Sequence, residues 1–557
     1  MRRFAGCKLT KRNRRGSEKV RAILTILLYN TAMESKADLE TRNAETVTIS
    51  RAEYDDYQEL KRNYEWLLEQ LRVIRSKQFG SSSEKASEEV VGQLSLLFNE
   101  PEVYAEESTE TEEPAVEVKA HARKRKSGSA RDIFPENAEV VETMHTLSDE
   151  ERICPKCGEV MQPIGTEVQE KIEIIPAKII LHRDIYETYA CENCKKNNNE
   201  TTPVLKTPKE PALIPGSYAS AEAVAYYAVQ KFVMGSPLYR QEQEFNRQGF
   251  MISRQTMSNQ MIRCAEDWML PVYEELHKKL LELTLLHADE TELQVLHEEG
   301  RNAKAKSYMW LYRTSGDARY PIVLYEYQPG RGQEYPKNFL EGFQGYLQTD
   351  GYSGYNAVAG ATHVGCWAHA RRKFDEALRA APKGKKSPTA EQGVAYCSQL
   401  FKLEEKFKNL SPEERKEQRL KQEKPVLDAM LAWANTRNAP PKSKLGEALG
   451  YLKNQWPRLI AYLEDGRIEL SNNRAERSIK PFVISRKNFL FANTANGAKS
   501  SAVIFSLIET AKENALDPYR YLTWLLSEAP KRFEDDPNWA TTLLPQNAPQ
   551  QCRVTST

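Results

Sequence analysis

The stretch Leu285-Leu286-His287-Ala288-Asp289-Glu290-Thr291 decides the fold of this chain. Its apolar opening lacks helical periodicity, and Leu293, Val295 and His297 then alternate with polar residues. That pattern predicts a half-buried β-strand presenting a carboxylate, Asp289. A second segment, Gly345-Tyr346-Leu347-Gln348-Thr349-Asp350-Gly351, has the same design: strand, Asp, then Gly for the turn. Ser471-Asn472-Asn473-Arg474-Ala475-Glu476-Arg477 opens a polar helical segment that carries Glu476. Two carboxylates on strand ends and one on a helix make an all-oxygen pocket suited to Mg²⁺ or Mn²⁺, which prefer hard oxygen ligands. The alternative on spacing alone is solvated surface, where most Asp and Glu residues lie.

Working outward, 557 residues exceed what one hydrophobic core organises, so several domains are expected. Hydrophobic residues make up 40% and charged residues 28%, which describes soluble globular units with polar linkers. The 79 basic and 78 acidic residues leave a net charge of +1, so any nucleic-acid surface must be segregated locally. Four of the nine cysteines fall in two Cys-x-x-Cys pairs and the rest are scattered, a pattern of a reducing, cytoplasmic compartment with one metal site. No apolar run reaches the length of a membrane span, and no membrane partner is expected. Residues 1–32 are basic and then briefly apolar with no cleavage site, so translation is expected to begin at Met33 and 1–32 to be a non-native extension.

From Tyr57 the apolar residues Leu60, Tyr64, Leu67, Leu71 and Ile74 follow at steps of three and four. This is an a/d seam, read either as a self-associating coiled coil or as an amphipathic helix packed on its own domain. An acidic block over 100–118 precedes a basic one that includes Arg123, Lys124, Arg125 and Lys126. Neither has enough apolar residues to fold, so a linker is expected whose basic end holds DNA phosphates or serves as a solvated tether. Cys154 and Cys157, then Cys191 and Cys194, form two knuckles that complete a closed tetrahedral Zn²⁺ site, with an alternating β-hairpin between them (Ile172, Ile174, Ile179, Leu181, Ile185, Tyr189). A helix from Pro237 ends near Gly249, and Ser253 caps a second that starts Arg254-Gln255-Thr256. The pair reads as a helix-turn-helix whose Arg254 and Gln255 reach base edges, or as a generic helical hairpin. Residues 308–313 and 322–327 continue the first strand as an antiparallel meander, and charged helical sequence separates Asp350 from Glu476 as an insertion. Gly497-Ala498-Lys499-Ser500 lacks the earlier glycine of a phosphate loop, which excludes a nucleoside-triphosphatase reading.

Eight blocks, in order, then resemble one family: FGSSSEK (79–85), CPKCG (154–158), YACENC (189–194), SPLYRQEQEF (236–245), HADET (287–291), TDGYSGYN (349–356), GCWAHARRKF (365–374) and SNNRAERSIKP (471–481). The chain resembles, over about residues 50 to 530, the bacterial insertion-sequence family numbered sixty-six, whose large protein is a DDE transposase. The resemblance implies a multidomain α/β protein with an RNase H-like catalytic core and a helical insertion. It implies Asp289, Asp350 and Glu476 as a catalytic triad, with Mg²⁺ (or Mn²⁺) driving in-line displacement at phosphorus in DNA cleavage and strand transfer. Element ends and target DNA are the implied partners, with a homo-oligomer through the coiled coil and small accessory proteins encoded beside the chain. Glu290 is expected on the opposite strand face from Asp289, and Glu292 outside the set. Arg474, Arg477 and Lys480 flank Glu476 as phosphate contacts or structural ion pairs. Cys366 and His369, with His363 nearby, are read either as a start towards a second metal site or as a helix start packed under the pocket. The rival functions are a DNA-binding regulator derived from a transposase and a nuclease or resolvase on the same fold. The expected domains are an extension (1–32), coiled-coil helix (33–86), charged linker (87–133), zinc-binding domain (134–205), helical DNA-binding region (206–275), a first core segment (276–375), helical insertion (376–465), a second core segment with C-terminal helices (466–530) and a tail (531–557).

Overall fold

The computed structural model describes scattered positions of a helix between residues 51 and 68, residue 148, and residues 178–190, 204–381 and 387–554. The chain divides into two units, Met1–Leu68 and Glu69–Thr557. In the first, Tyr57, Leu60, Tyr64 and Leu67 are helical and exposed, so the described part of the a/d seam is open. Leu71 and Ile74, the charged linker and all four knuckle cysteines lie outside the described residues.

Among the described residues of the second unit, the first elements are an antiparallel pair, β1 (Thr188–Ala190) and β2 (Val204–Lys206). Most of the span expected to form an alternating hairpin, up to residue 177, lies outside the described residues; residues 178–187 carry no strand, and β1 and β2 flank the second cysteine pair. Among the described residues, Ile180, Leu181 and Ile185 are exposed. Four helices follow: α1 (Ala221–Phe232), α2 (Leu238–Arg247), α3 (Arg254–Cys264) and α4 (Leu270–Leu281). Next come β3 (Leu285–His297), β4 (Lys306–Thr314), β5 (Val323–Gln328), the short α5 (Glu334–Phe339), β6 (Gly345–Gln348) and β7 (Ala361–Val364). Helix α6 (Trp367–Ala380) leads into the insertion, α7 (Pro388–Phe407), α8 (Pro412–Gln418), α9 (Lys424–Asn435) and α10 (Lys444–Ile460). The chain returns through α11 (Asn473–Phe489), β8 (Ala492–Thr494), α12 (Ala495–Glu513) and α13 (Pro518–Asp535).

The strands lie in the order β5-β4-β3-β6-β7, with β8 pairing in parallel along the far end of β3. β3, β4 and β5 form the antiparallel meander, whereas β6 and β7 run parallel to β3. Met309, Trp310, Leu311 and Tyr312 of β4 are fully buried in succession, so both faces of the sheet are covered. Strand β5 is an edge, and α12 closes it with hydroxyls. Thr510 Oγ1 accepts from Val323 N–H at 3.0 Å and donates to Val323 C=O at 2.9 Å, while Ser506 Oγ accepts from Tyr325 N–H at 2.7 Å. A strand edge left bare would expose unpaired backbone groups; here two side chains satisfy them. Arg313, buried on β4, is gripped by Glu513 at 2.9 and 3.2 Å and by Ser478, tying β4 to α12 and α11.

Helices α1, α3 and α4 share one hydrophobic core with the sheet, α12 and α13 through Val224, Phe232, Met257, Met261, Val272 and Leu276. No packing break falls at residue 275. Residues after 530, expected as a tail, also belong to that core: Leu543 and Leu544 are fully buried and Trp539 nearly so. The apolar residues there are too few for a sequence periodicity, yet each fills a gap beside α4 and α13.

The insertion has its own core, joined to the end of the sheet through Leu285, Val364 and Trp367. At its centre Arg419 is fully buried, bound by Glu404 at 2.7 and 2.8 Å and by the carbonyls of Tyr462, Asp465 and Ile468. Glu423 lies beside them, accepting from Tyr462 Oη at 2.7 Å. Burial, and then the Glu404 charge, push its carboxyl up to about 8 from an ordinary 4.5. The folded form therefore retains a proton that the unfolded chain releases. The resulting stability is greatest below about 4.5 and is lost as pH rises through about 8. Glu423→Gln, which keeps the shape without the charge, is expected to raise the thermal midpoint at pH 8 and above. It should also flatten the midpoint's pH dependence across this window; identical melting profiles would contradict the assignment.

Candidate functional site

Leu285, Leu286 and His287 of β3 stand opposite Tyr346, Leu347 and Gln348 of β6. Two residues beyond each end of that register are Asp289 and Asp350, so parallel pairing carries both carboxylates to the same edge of the sheet. Gly351, at φ +94°, turns the chain at once, in a left-handed conformation that a side chain would strain. Asp350 Oδ1 then accepts from Tyr352 N–H at 2.8 Å, and Tyr451 of α10 donates to the Asp350 carbonyl at 3.0 Å. The insertion thus braces the second carboxylate.

The third carboxylate is positioned by Asn472, fully buried at the head of α11. Its Nδ2 donates to the Ala288 carbonyl at 2.9 Å, its Oδ1 meets His287 Nδ1 at 3.0 Å, and its backbone N–H donates to Cys366 Sγ at 3.2 Å. Burial lowers His287 to about 4, so the ring is neutral and carries its proton on Nδ1, facing the amide oxygen. One helical turn on, Glu476 N–H bonds the Asn472 carbonyl at 3.2 Å. Glu476 therefore stands on a helix packed against β3, where its charge acts on Asp289.

Charge in this pocket is unbalanced. Burial, then the charges of Glu290, Asp350 and Glu476, hold the Asp289 carboxyl well above the ordinary carboxylate range. Glu476 Oε1 is buried without a hydrogen-bond partner; His369 Nδ1 lies 3.6 Å from it and Arg372 lies 3.5 Å from Oε2. Buried, acidic and short of positive charge, the pocket is chemically suited to a hard divalent cation, while the ligand atoms that lie within 4.8 Å of one another among the described residues are those of Cys366, His369 and Glu476.

Glu290, expected on the opposite strand face from Asp289, has partners of its own. It is 2% exposed, paired with Arg331 and hydrogen-bonded to Tyr355 Oη at 2.6 Å, and its charge acts on both Asp289 and Asp350. Strand alternation turns its carboxylate to other partners, but burial preserves its field at the pocket. Glu292 is exposed and paired with Lys306. Arg474 is engaged by Glu469 at 2.6 Å, an ion-pair role, whereas Arg477 is exposed and Lys480 half-buried. Cys366, fully buried at the start of α6, and His369 converge on Glu476; His363, on β7, does not join them. Arg254 and Gln255 are exposed on the first turn of α3, which Ser253 caps through Thr256 N–H at 3.1 Å. Glu242 of α2 holds Arg254 N–H at 2.9 Å. Arg123, Lys124, Arg125, Lys126, Cys154, Cys157, Cys191 and Cys194 lie outside the described residues. Asn472, Tyr451 and Arg372 are the contributors that sequence reasoning missed. Only the block around Glu476 contained a signal, in its paired asparagines.

Four family models match. One described as Transposase IS66 family covers residues 216–500, and the zinc-finger binding domain of transposase IS66 covers 151–195. Transposase C of IS166 homeodomain matches 66–143, and the IS66 C-terminal element matches 506–545, including some of the packed C-terminal segment. Three proteins of Sinorhizobium fredii (strain NBRC 101917 / NGR234) are similar along most of their length. The uncharacterized protein y4hP is 28% identical over 84% of this chain and 85% of its own. The uncharacterized protein y4jD is 31% identical over 72% and 79%, and the uncharacterized protein y4qI 30% identical over 82% and 84%. No solved structure matches. Among the described residues no helix is long and apolar enough to cross a membrane.

Two outcomes are expected from this geometry. Asp289→Asn removes a carboxylate that is strained when ionised, so it should raise the thermal midpoint of metal-free protein at neutral pH by roughly 2–4 °C. Mg²⁺ should raise the midpoint of the wild type and leave that of the variant unchanged, as read by differential scanning calorimetry. Asn472→Ala strands His287 and the Ala288 carbonyl in the core and should cost about 2–4 kcal/mol in denaturant unfolding; a cost below about 0.5 kcal/mol would mean that the amide is not the joint described.

Proposed function

The chain belongs to the IS66 family of transposases, and from that premise we propose that it binds the ends of its insertion sequence and cleaves and joins DNA strands at Asp289, Asp350 and Glu476. The observation that carries this reading is the parallel register of β3 and β6, which aligns two carboxylates, with Asn472 fixing the third above them. The mixed sheet, antiparallel through β3 to β5 and parallel through β6 and β7, supports an RNase H-like core interrupted by the helical insertion.

Asp289, Asp350 and Glu476 would hold Mg²⁺ or Mn²⁺, which supplies Lewis acidity at the phosphorus undergoing in-line displacement. The rest of the chemistry is positioning. The attacking group is water in cleavage and a DNA 3′-hydroxyl in joining, so the protein itself supplies no nucleophile. The carboxylates concentrate negative charge in a buried site until cation and phosphate arrive together, and Tyr451 and Asn472 hold two of them in place. Arg477 lies on the exposed side of α11, where it meets backbone phosphate.

Recognition is assigned to other surfaces. Arg254 and Gln255, exposed on a Ser-capped helix of a two-helix hairpin, read base edges of the element end. The basic block Arg123, Lys124, Arg125 and Lys126 adds sequence-independent attraction through counterion release. Cys154, Cys157, Cys191 and Cys194, all within the matched zinc-finger span, close a structural Zn²⁺ site. The exposed seam of Tyr57, Leu60, Tyr64 and Leu67 suits self-association on the target DNA, with or without small accessory proteins.

Asp289→Asn, Asp350→Asn and Glu476→Gln should each reduce metal-dependent cleavage of labelled element ends by at least a thousandfold while end binding in gel-shift assays stays within a few-fold of wild type. Near-normal cleavage by any one variant would remove that residue from the set.

A further inference from the structure

We propose that Cys366, His369 and Glu476 form a second cation site, for a zinc-class dication, and that filling it withdraws Glu476 from the carboxylate pocket. The inhibitory half of this inference rests on the catalytic reading of Glu476 above. A sulfur, an imidazole nitrogen and a carboxylate oxygen here lie within 4.8 Å of one another. Donors around a tetrahedral ion with bonds of about 2.0–2.3 Å stand about 3.3–3.8 Å apart, so a closure of roughly 1 Å completes the geometry. Mg²⁺ takes oxygen and rarely sulfur, whereas thiolate with imidazole suits zinc.

Two of the donors already lack partners. His369 Nδ1 and Glu476 Oε1 are buried, unsatisfied, and 3.6 Å apart. Their supports are rigid: Cys366 and His369 span one turn at the start of α6, where Trp367 N–H bonds the Leu470 carbonyl at 3.1 Å. The Asn472 N–H that fixes Cys366 Sγ heads the same helix that carries Glu476. Arg372 closes the solvent side, 3.3 Å from His369 Nε2 and 3.5 Å from Glu476 Oε2. A cation at Nδ1 moves the ring proton to Nε2 and displaces Arg372, which at 45% exposure has room to turn outward. Burial keeps the Cys366 thiol protonated in the ion-free chain, so uptake releases that proton to solvent. The fourth position stays open for water. Zinc and the hard cation then compete for one carboxylate.

The test uses the full chain, preloaded with zinc and desalted, titrated with Zn²⁺ against a chromophoric chelator. Wild type should take up one further equivalent that Cys366→Ala and His369→Gln both lose, while Arg372→Ala, freed of a competing positive charge, should bind it more tightly. In Mg²⁺-supported cleavage of element ends, the half-inhibitory zinc concentration should rise about tenfold in the two ligand variants, each compared with its own zinc-free rate. Equal uptake by wild type and folded variants overturns the site, and equal inhibition overturns its hold on Glu476. The more exposed His369 keeps the test decisive should Cys366→Ala fail to fold. A chain that never cleaves DNA would sink the transposition reading instead, with zinc uptake still deciding the site.

Discussion

A single buried amide holds the candidate site together. Asn472 satisfies a carbonyl of β3, the ring of His287 and the sulfur of Cys366 at once, so three elements distant in sequence share one joint. Hydrogen bonds of this kind contribute little net stability when made, but each costs heavily when one partner is lost in a dry core. That asymmetry makes the joint rigid. Glu476 follows one helical turn later, so the position of the third carboxylate is inherited from the amide and not from any attraction to the other two.

Attraction could not do the work, because the carboxylates repel one another. Asp289 is raised by burial and by three neighbouring acids, among them Glu290, which acts from a buried pair with Arg331. Such a cluster is unfavourable until a cation arrives. The fold bears this local cost by bracing the acids around Asp289: Tyr451 on the Asp350 carbonyl, Asn472 below Glu476, and Arg331 with Tyr355 on Glu290. The insertion is therefore integral to the site's scaffold. Trp367 Nε1 reaches the Leu459 carbonyl at 2.8 Å, and Gly365 N–H reaches the Arg458 carbonyl, locking α10 to the end of β7, the neighbour of the strand that leads to Asp350.

Elsewhere the same economy of long-range contacts recurs. Hydroxyls of α12 satisfy the edge of β5, Arg313 pins β4 to α11 and α12, and α1 packs against α13. The helices before the sheet and the segments after it are consequently one structural body with the sheet. Arg254 and Gln255, on an exposed face of that body, are set by the same core that sets Asp289.

The sequence by itself determined the local elements. Alternation and glycine turns marked β3 and β6, serine caps marked α3, and a charged helical stretch marked the insertion, because each signal is contained within a few neighbouring residues. It also contained the three acids, and, through a chain of short motifs, the family. Tertiary structure alone decided the rest. The burial of Glu290, the bracing by Tyr451, the packed segment after residue 530 and the convergence of Cys366 and His369 on Glu476 depend on contacts across a hundred residues or more, or on buried surface that one-dimensional periodicity does not encode.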